Sequence, residues 1–421
     1  MTYHSAVAFV EGLTKIQKGD YMLSRKKDRS LYLKRLRFLL AEIGNPHLAI
    51  PNFIHVGGTS GKGTTTMGIA HGLRAAGEQV GAYTSPHITT TVERFWVNGK
   101  LMSPRRYVEL VEWLKPALMT CLKKSPYGLP SYFEIEFAMA LEHFRRECVT
   151  WAVIEVGCGG EFDATNAIPS PRAAVITNIG LDHVELLGTT KREIAKTKAG
   201  IIKRGSHVFT SERSPAIRRI LKARADEKHV PFTYVHGGNV ELAEAVLNHT
   251  IHLPLRAKGP TLPGRFEILQ THPLVVLDVA HNPDKCTYLA AEWKRHKLPK
   301  PHVLFAASAN KDHKNMLKPL LNIARSITFV PFASSDRTCA NPTDLERIAN
   351  RLKPSLKTSS FLTSDEGLDD LLSYKNQLSR PDPILITGSF FLAADLRPRW
   401  ISEAEILHAR NSFGSRITPV S

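Results

Sequence analysis

The segment Gly57-Gly58-Thr59-Ser60-Gly61-Lys62-Gly63-Thr64-Thr65 holds residue types that can close around phosphate oxygens. Glycines let backbone N–H groups turn inward, Lys62 supplies a point charge, and a threonine hydroxyl can reach Mg²⁺. The segment follows the apolar run Phe53-Ile54-His55-Val56 and leads into a helical pattern, Thr65 to Ala76, stopped at Gly77. Strand, loop and helix in that order add the partial positive charge of a helix N-terminus. Thr59, Ser60, Gly61, Lys62, Gly63 and Thr64 are therefore candidate phosphate ligands. The order departs from a plain Walker A loop, because Gly63 separates Lys62 from Thr64.

Glu155 ends the buried-type strand Trp151-Ala152-Val153-Ile154 and precedes Val156-Gly157-Cys158-Gly159-Gly160. A carboxylate at the carboxyl end of a parallel strand sits where such folds bind ligands, and it offers a hard oxygen to Mg²⁺. Strands at Val80–Tyr83 and Ala173–Thr177, with helical stretches between, imply βαβ units and a parallel sheet. The Pro- and Gly-dense stretch Lys258 to Gly264 reads as a linker. Beyond it a second series of strands begins at Leu274–Leu277, Val303–Phe305, Ile327–Val330 and Ile384–Thr387. The expected organisation is two α/β domains: residues 1–262, with a phosphate loop and a mainly parallel sheet, and a smaller domain, residues 263–421.

His55 to Thr64 resembles the nucleotide loop of the folylpolyglutamate and dihydrofolate synthases, within the Mur ligase superfamily. Further matches run along the chain. Thr84-Ser85-Pro86-His87 is similar to the family's TSPH element. Glu155 to Asn166 resembles its glycine-rich signature ending in DATN, with Cys158 for a usual leucine and Glu161 for a usual arginine. Thr177 to Glu185, Thr197 to Ile202 (the KAGI element), Pro263-Gly264-Arg265-Phe266-Glu267 and Asp278-Val279-Ala280-His281-Asn282-Pro283 continue the series.

The resemblance implies a two-domain Mur-ligase-like α/β fold and an ATP-dependent ligase. Such an enzyme adds L-glutamate to the carboxylate of dihydropteroate or a reduced folate through an acyl phosphate. It implies two Mg²⁺ sites drawn from Thr64, Ser85, Glu155, His183 and a carbamylated Lys198, with ATP as co-substrate. Arg265, Asp278 and Asn282 would meet the nucleotide, and His281 would lie near the γ-phosphate. The catalytic group would be Lys62, Glu155, His183, Lys198 and His281. Ser131, Tyr132, Phe133, Glu134, Phe162, Asp163 and Ala164 would meet the pterin and its arm. A Mur-type amino-acid ligase for a UDP-linked cell-wall precursor is the alternative, and Gly63 and the DATN element argue against it.

The chain has 421 residues and a formal net charge of +17. Its basic clusters, such as Arg25-Lys26-Lys27 and Arg218-Arg219, are short and carry no interleaved aromatics, so nucleic-acid binding is not expected. No apolar run is long enough for a membrane helix, and the opening Met1-Thr2-Tyr3-His4 leads to the expectation of no secretion signal. Five scattered cysteines without a CxxC pair fit free thiols. A cytoplasmic monomer is expected.

Overall fold

The computed structural model describes residues 1–15, 30–251, 262–334, 337–376 and 381–411. Arg25-Lys26-Lys27 and the expected linker through Thr261 lie outside the described residues. The chain divides into two compact units, Met1–His87 with Thr91–Pro260 and Ile88–Thr90 with Thr261–Ser421. Among the described residues, no helix is long and apolar enough to cross a membrane.

The first unit is built on the strands β1 (Asn52–Gly57), β2 (Val80–Tyr83), β3 (Phe95–Val97), β4 (Lys100–Leu101), β5 (Trp151–Glu155), β6 (Ala173–Ile176), β7 (His207–Thr210) and β8 (Phe232–Tyr234). They lie in the order β4-β3-β2-β5-β1-β6-β7-β8. The β2–β5–β1–β6–β7–β8 run is parallel, while β3 and β4 turn back antiparallel. β1, β2, β5 and β6 are almost wholly buried, as their continuous Val, Ile and Ala content requires of parallel strands covered on both faces. Val56 pairs with Glu155 and Gly57 with Ile176, so the carboxyl ends of three adjacent strands lie level.

Helix Lys62–Ala75 opens at once after the loop, with Gly61 in the left-handed region at φ 82° as its N-cap. It buries Met67, Ile69, Ala70 and Leu73 and packs on helix Asn239–Ile251. A Cβ at Gly72 would come within 2.2 Å of the Leu247 side chain, so the absence of a side chain there sets how closely these helices approach. The phosphate loop thus rests on a packed element.

The second unit holds β9 (Glu267–Thr271), β10 (Leu274–Asp278), β11 (His302–Phe305), β12 (Ser326–Phe329), β13 (Lys357–Ser360) and β14 (Ile384–Thr387). Their order is β13-β12-β11-β14-β10-β9, parallel except for β9. One core face gathers Leu289, Trp293, Phe305 and Phe329, and the other Leu277, Val330, Ile386 and Leu392 together with Ile88. Arg397 is fully buried and forms an ion pair with Glu267 at 2.9 Å. That is a two-domain α/β fold with mostly parallel sheets, as the alternating pattern implies.

Candidate functional site

In the first unit the phosphate loop is braced from the end of β6. Thr59 N–H donates to the Asn178 carbonyl at 2.9 Å, and Ser60 N–H donates to Asn178 Oδ1 at 2.8 Å. Thr177 Oγ1 donates to the Ser60 carbonyl at 2.6 Å, and Gly180 N–H donates to Thr59 Oγ1 at 2.9 Å. The Thr177–Gly180 segment therefore holds the loop's first half in shape. The backbone donors that open helix Lys62–Ala75 lie in its second half.

Lys198, at the end of helix Lys191–Lys198, is 4% exposed, and its Nζ donates to the Gly58 carbonyl at 2.8 Å. Burial, reinforced by the Lys62 cation, pushes its amine down to about 8. An ammonium deprived of water and facing a like charge gives up its proton more readily.

Glu155, 4% exposed, accepts from Ser85 N–H at 3.1 Å, so the ends of β5 and β2 bring together two of the expected oxygen donors. His183 sits at φ 48° beside Asp182, whose Oδ1 accepts its N–H at 3.2 Å. Among the described residues, no three His, Cys, Asp or Glu side chains stand close enough to hold a metal by themselves.

Asp163 is held by backbone donors: Oδ2 accepts from Cys158 N–H at 2.7 Å and Oδ1 from Thr165 N–H at 2.9 Å. Burial pushes its pKa up, and these bonds oppose the rise. A Cβ at Gly157 would lie 2.6 Å from Phe133 Cζ and 3.1 Å from Asp163 Oδ2, so this glycine brings an aromatic ring and a carboxylate together. Phe162 is half-buried, and Ala164 opens a short 3₁₀ turn. Burial pushes the Cys158 thiol up to about 12, which leaves it no nucleophile at neutral pH.

Ser131 and Glu134 form a capping box on helix Tyr132–Arg146, and Glu134 also forms an ion pair with Arg35 at 3.3 Å. Their side chains frame the helix that presents Tyr132 and Phe133. The Tyr132 hydroxyl lies 2.9 Å from Thr91 Oγ1, and the Arg94 guanidinium lies 5.4 Å over its ring. Sequence reasoning missed Glu136, which is fully buried and accepts from Tyr107 at 2.7 Å and from Thr91 at 3.0 Å. Burial lifts it to about 7. An acidic residue at an inward helical position was the available signal. Glu161 has its backbone seated against Gly200, while its side chain is exposed.

In the second unit, Asp278 ends β10 and accepts from Phe266 N–H and Ala280 N–H, both at 2.9 Å. Arg265 lies 5.2 Å over the Phe390 ring. His281 Nδ1 donates to the Val279 carbonyl at 2.8 Å, so Nε2 is the nitrogen that accepts from Lys285 Nζ at 3.1 Å. Asn282 caps helix Pro283–Arg295 by accepting from Lys285 N–H at 2.9 Å.

The family profile described as "Mur ligase middle domain" matches residues 56–250, and "Mur ligase, glutamate ligase domain" matches residues 264–390. The dihydrofolate synthase/folylpolyglutamate synthase of Bacillus subtilis is 32% identical over 87% of this chain and 94% of its own. Folylpolyglutamate synthase of Mycobacterium tuberculosis, solved in complex with ADP, superposes with a TM-score of 0.82 at 25% identity, covering 94% of this chain and 99% of that one. E. coli FolC, solved with DHPP and ADP, gives 0.78 at 26% identity, covering 97% of this chain and 98% of that one. With its phosphate loop, its ordered strand-end residues and these relatives, the chain belongs to the folylpolyglutamate synthase/dihydrofolate synthase family of Mur-type ligases.

Proposed function

We propose that the protein is an ATP-dependent ligase that adds L-glutamate to the carboxylate of dihydropteroate, of reduced folates, or of both. The observation that carries this reading is the cluster at the carboxyl ends of β1, β2, β5 and β6. There the braced phosphate loop is in contact with Lys198, and the adjoining strand ends pair Ser85 with Glu155. The ADP-bound relatives of similar fold support a nucleotide substrate.

A carboxylate is a poor electrophile. Transfer of the ATP γ-phosphoryl group to one of its oxygens gives an acyl phosphate and ADP. The glutamate amine then attacks the carbonyl carbon, loses a proton, and phosphate departs with that oxygen. Thr59 to Thr64 bind and orient the triphosphate, and Lys62 meets the charge that grows on the transferring group. From the second unit, Arg265, Asp278 and Asn282 are assigned to the nucleotide and His281 to the γ-phosphate. Ser131 to Glu134 and Phe162 to Ala164 are assigned to the pterin and its arm, with Phe133 as the ring face and Asp163 as the acceptor. Residues 1–262 form the ATP-binding domain and residues 263–421 the C-terminal ligase domain of a cytoplasmic monomer.

The donors fit Mg²⁺. Thr64, Ser85 and Glu155 offer the hard oxygens that Mg²⁺ takes as ligands, beside its waters and phosphate oxygens. Two such ions would be held by Thr64, Ser85, Glu155, His183 and a carbamylated Lys198. Bound there, they would neutralise phosphate charge.

The test is glutamate-dependent ADP release across dihydropteroate, reduced folates and UDP-linked acids. Carboxylate-¹⁸O substrate should deliver label to inorganic phosphate. Turnover with a UDP-linked acid alone would remove the folate assignment.

A further inference from the structure

Behind Asp163 runs a buried chain of hydrogen bonds that none of the motif roles uses. His55, on β1, is fully buried, and its Nε2 lies 2.9 Å from Thr165 Oγ1. Thr165, also fully buried, makes a close hydroxyl contact with Asp163 Oδ1. The three residues come from a central strand, a 3₁₀ turn and its N-cap.

The direction of these bonds follows from counting protons. A threonine hydroxyl has one proton and accepts through its lone pairs. Burial pushes the Asp163 carboxyl toward its protonated form, but both of its oxygens accept backbone N–H groups, and a carboxylic O–H oxygen is a poor acceptor, so the geometry favours the ionised carboxylate. An ionised carboxylate can only accept, so the Thr165 proton points at Asp163. The Thr165 oxygen must then receive a proton from the other side, and only a His55 Nε2–H can supply it. His55 Nδ1 becomes the lone-pair nitrogen. It is the atom with no hydrogen-bond partner among the described residues, and a buried acceptor without a partner is tolerated better than a buried N–H. Burial and the nearby Lys203 hold the imidazole neutral, leaving it one N–H to place.

We infer that His55 is a positioning residue: as the Nε2–H tautomer it fixes the Thr165 hydroxyl toward Asp163 and holds that carboxylate in one orientation for the N–H groups of a nitrogen heterocycle. The last clause rests on the substrate reading above. The tautomer does not.

Two measurements separate them. In ¹⁵N-histidine protein, the ring signals lost in His55→Gln should show a protonated Nε2 and an unprotonated Nδ1. An Nδ1–H tautomer overturns the relay. In steady-state assays, His55→Leu should raise KM for the pteridine substrate about fivefold, the worth of one neutral hydrogen bond, with kcat and the KM for ATP unchanged. His55→Gln, which can present an amide N–H from the same place, should restore KM. An unchanged KM in His55→Leu, or equal losses for both substrates, overturns the positioning role. Should His55→Leu fail to fold, Thr165→Val against Thr165→Ser asks the same question, with the rise expected only in the valine variant. Asp163→Asn sets the reference. If it too leaves the pteridine KM unchanged, the substrate reading falls while the tautomer result stands.

Discussion

Lys198 is the residue whose state the structure bears on most directly. Carbamylation requires a neutral amine: the nitrogen bonds to the carbon of CO₂, and a proton leaves. With its pKa lowered from 10.5 to about 8, about one Lys198 side chain in ten is neutral at pH 7. An ordinary lysine would offer about one in three thousand. The pocket thus enriches the reactive form about 300-fold. The product keeps one hydrogen on Nζ, so the 2.8 Å bond to the Gly58 carbonyl can persist. Its negative charge is attracted by the same Lys62 cation that repels the ammonium. At fixed dissolved CO₂, the rate of carbamate formation should rise about tenfold per pH unit below 8 and level off above it, because the neutral fraction saturates there. ¹³C-bicarbonate NMR should show one carbamate signal that Lys198→Ala lacks, and acetate should partly restore that variant's turnover. A fully active sample whose mass and spectrum show only the free amine would refute the reasoning.

Lys62→Ala should fold normally and lose about 10²-fold or more in kcat/KM, the scale of one lost electrostatic stabiliser; near-normal turnover in a folded sample would end the phosphate-loop assignment. Glu155→Ala and His183→Ala should each raise the Mg²⁺ concentration needed for half-maximal turnover, with the double variant little worse than either; titrations that overlay the parent's would remove both from the site. Glu161→Arg should change the ratio of dihydropteroate to reduced-folate activity, since it reverses a charge beside the Asp163 segment; an unchanged ratio would place that side chain away from substrate.

The loop and the strand ends were legible because their chemistry is local. Glycines, Lys62 and the threonines occupy consecutive positions, and Glu155 follows an unbroken apolar run. The helix after the loop starts at Lys62 rather than at Thr65, because Gly61 takes the left-handed cap conformation that lets the helix open immediately. Strands β3, β4, β7, β8, β9 and β13 are absent from the sequence pattern described above. Several are only two to four residues long, and β13, Lys-Thr-Ser-Ser at a sheet edge, carries no apolar signal. Contacts such as Asn178 with Ser60 or His55 with Thr165 join residues more than a hundred positions apart, and no local spacing encodes them. Ser131 and Glu134 match a recognition stretch by type, yet a capping box accounts for their side chains equally well.

The bracing of the phosphate loop by Asn178 has a thermodynamic consequence. The Thr59 and Ser60 amides already have protein acceptors, so their hydrogen exchange should be slow without nucleotide and change little on its addition. Added protection should fall on Gly61 to Thr64. A loop built before its ligand arrives spends little conformational entropy in closing, so nucleotide binding should carry a small ordering term in calorimetry. Asn178→Ala would free the Ser60 amide and leave the Thr59 amide, which depends only on the backbone carbonyl, protected. One substitution would thereby turn half of a rigid cradle into one that must be ordered at the moment of binding.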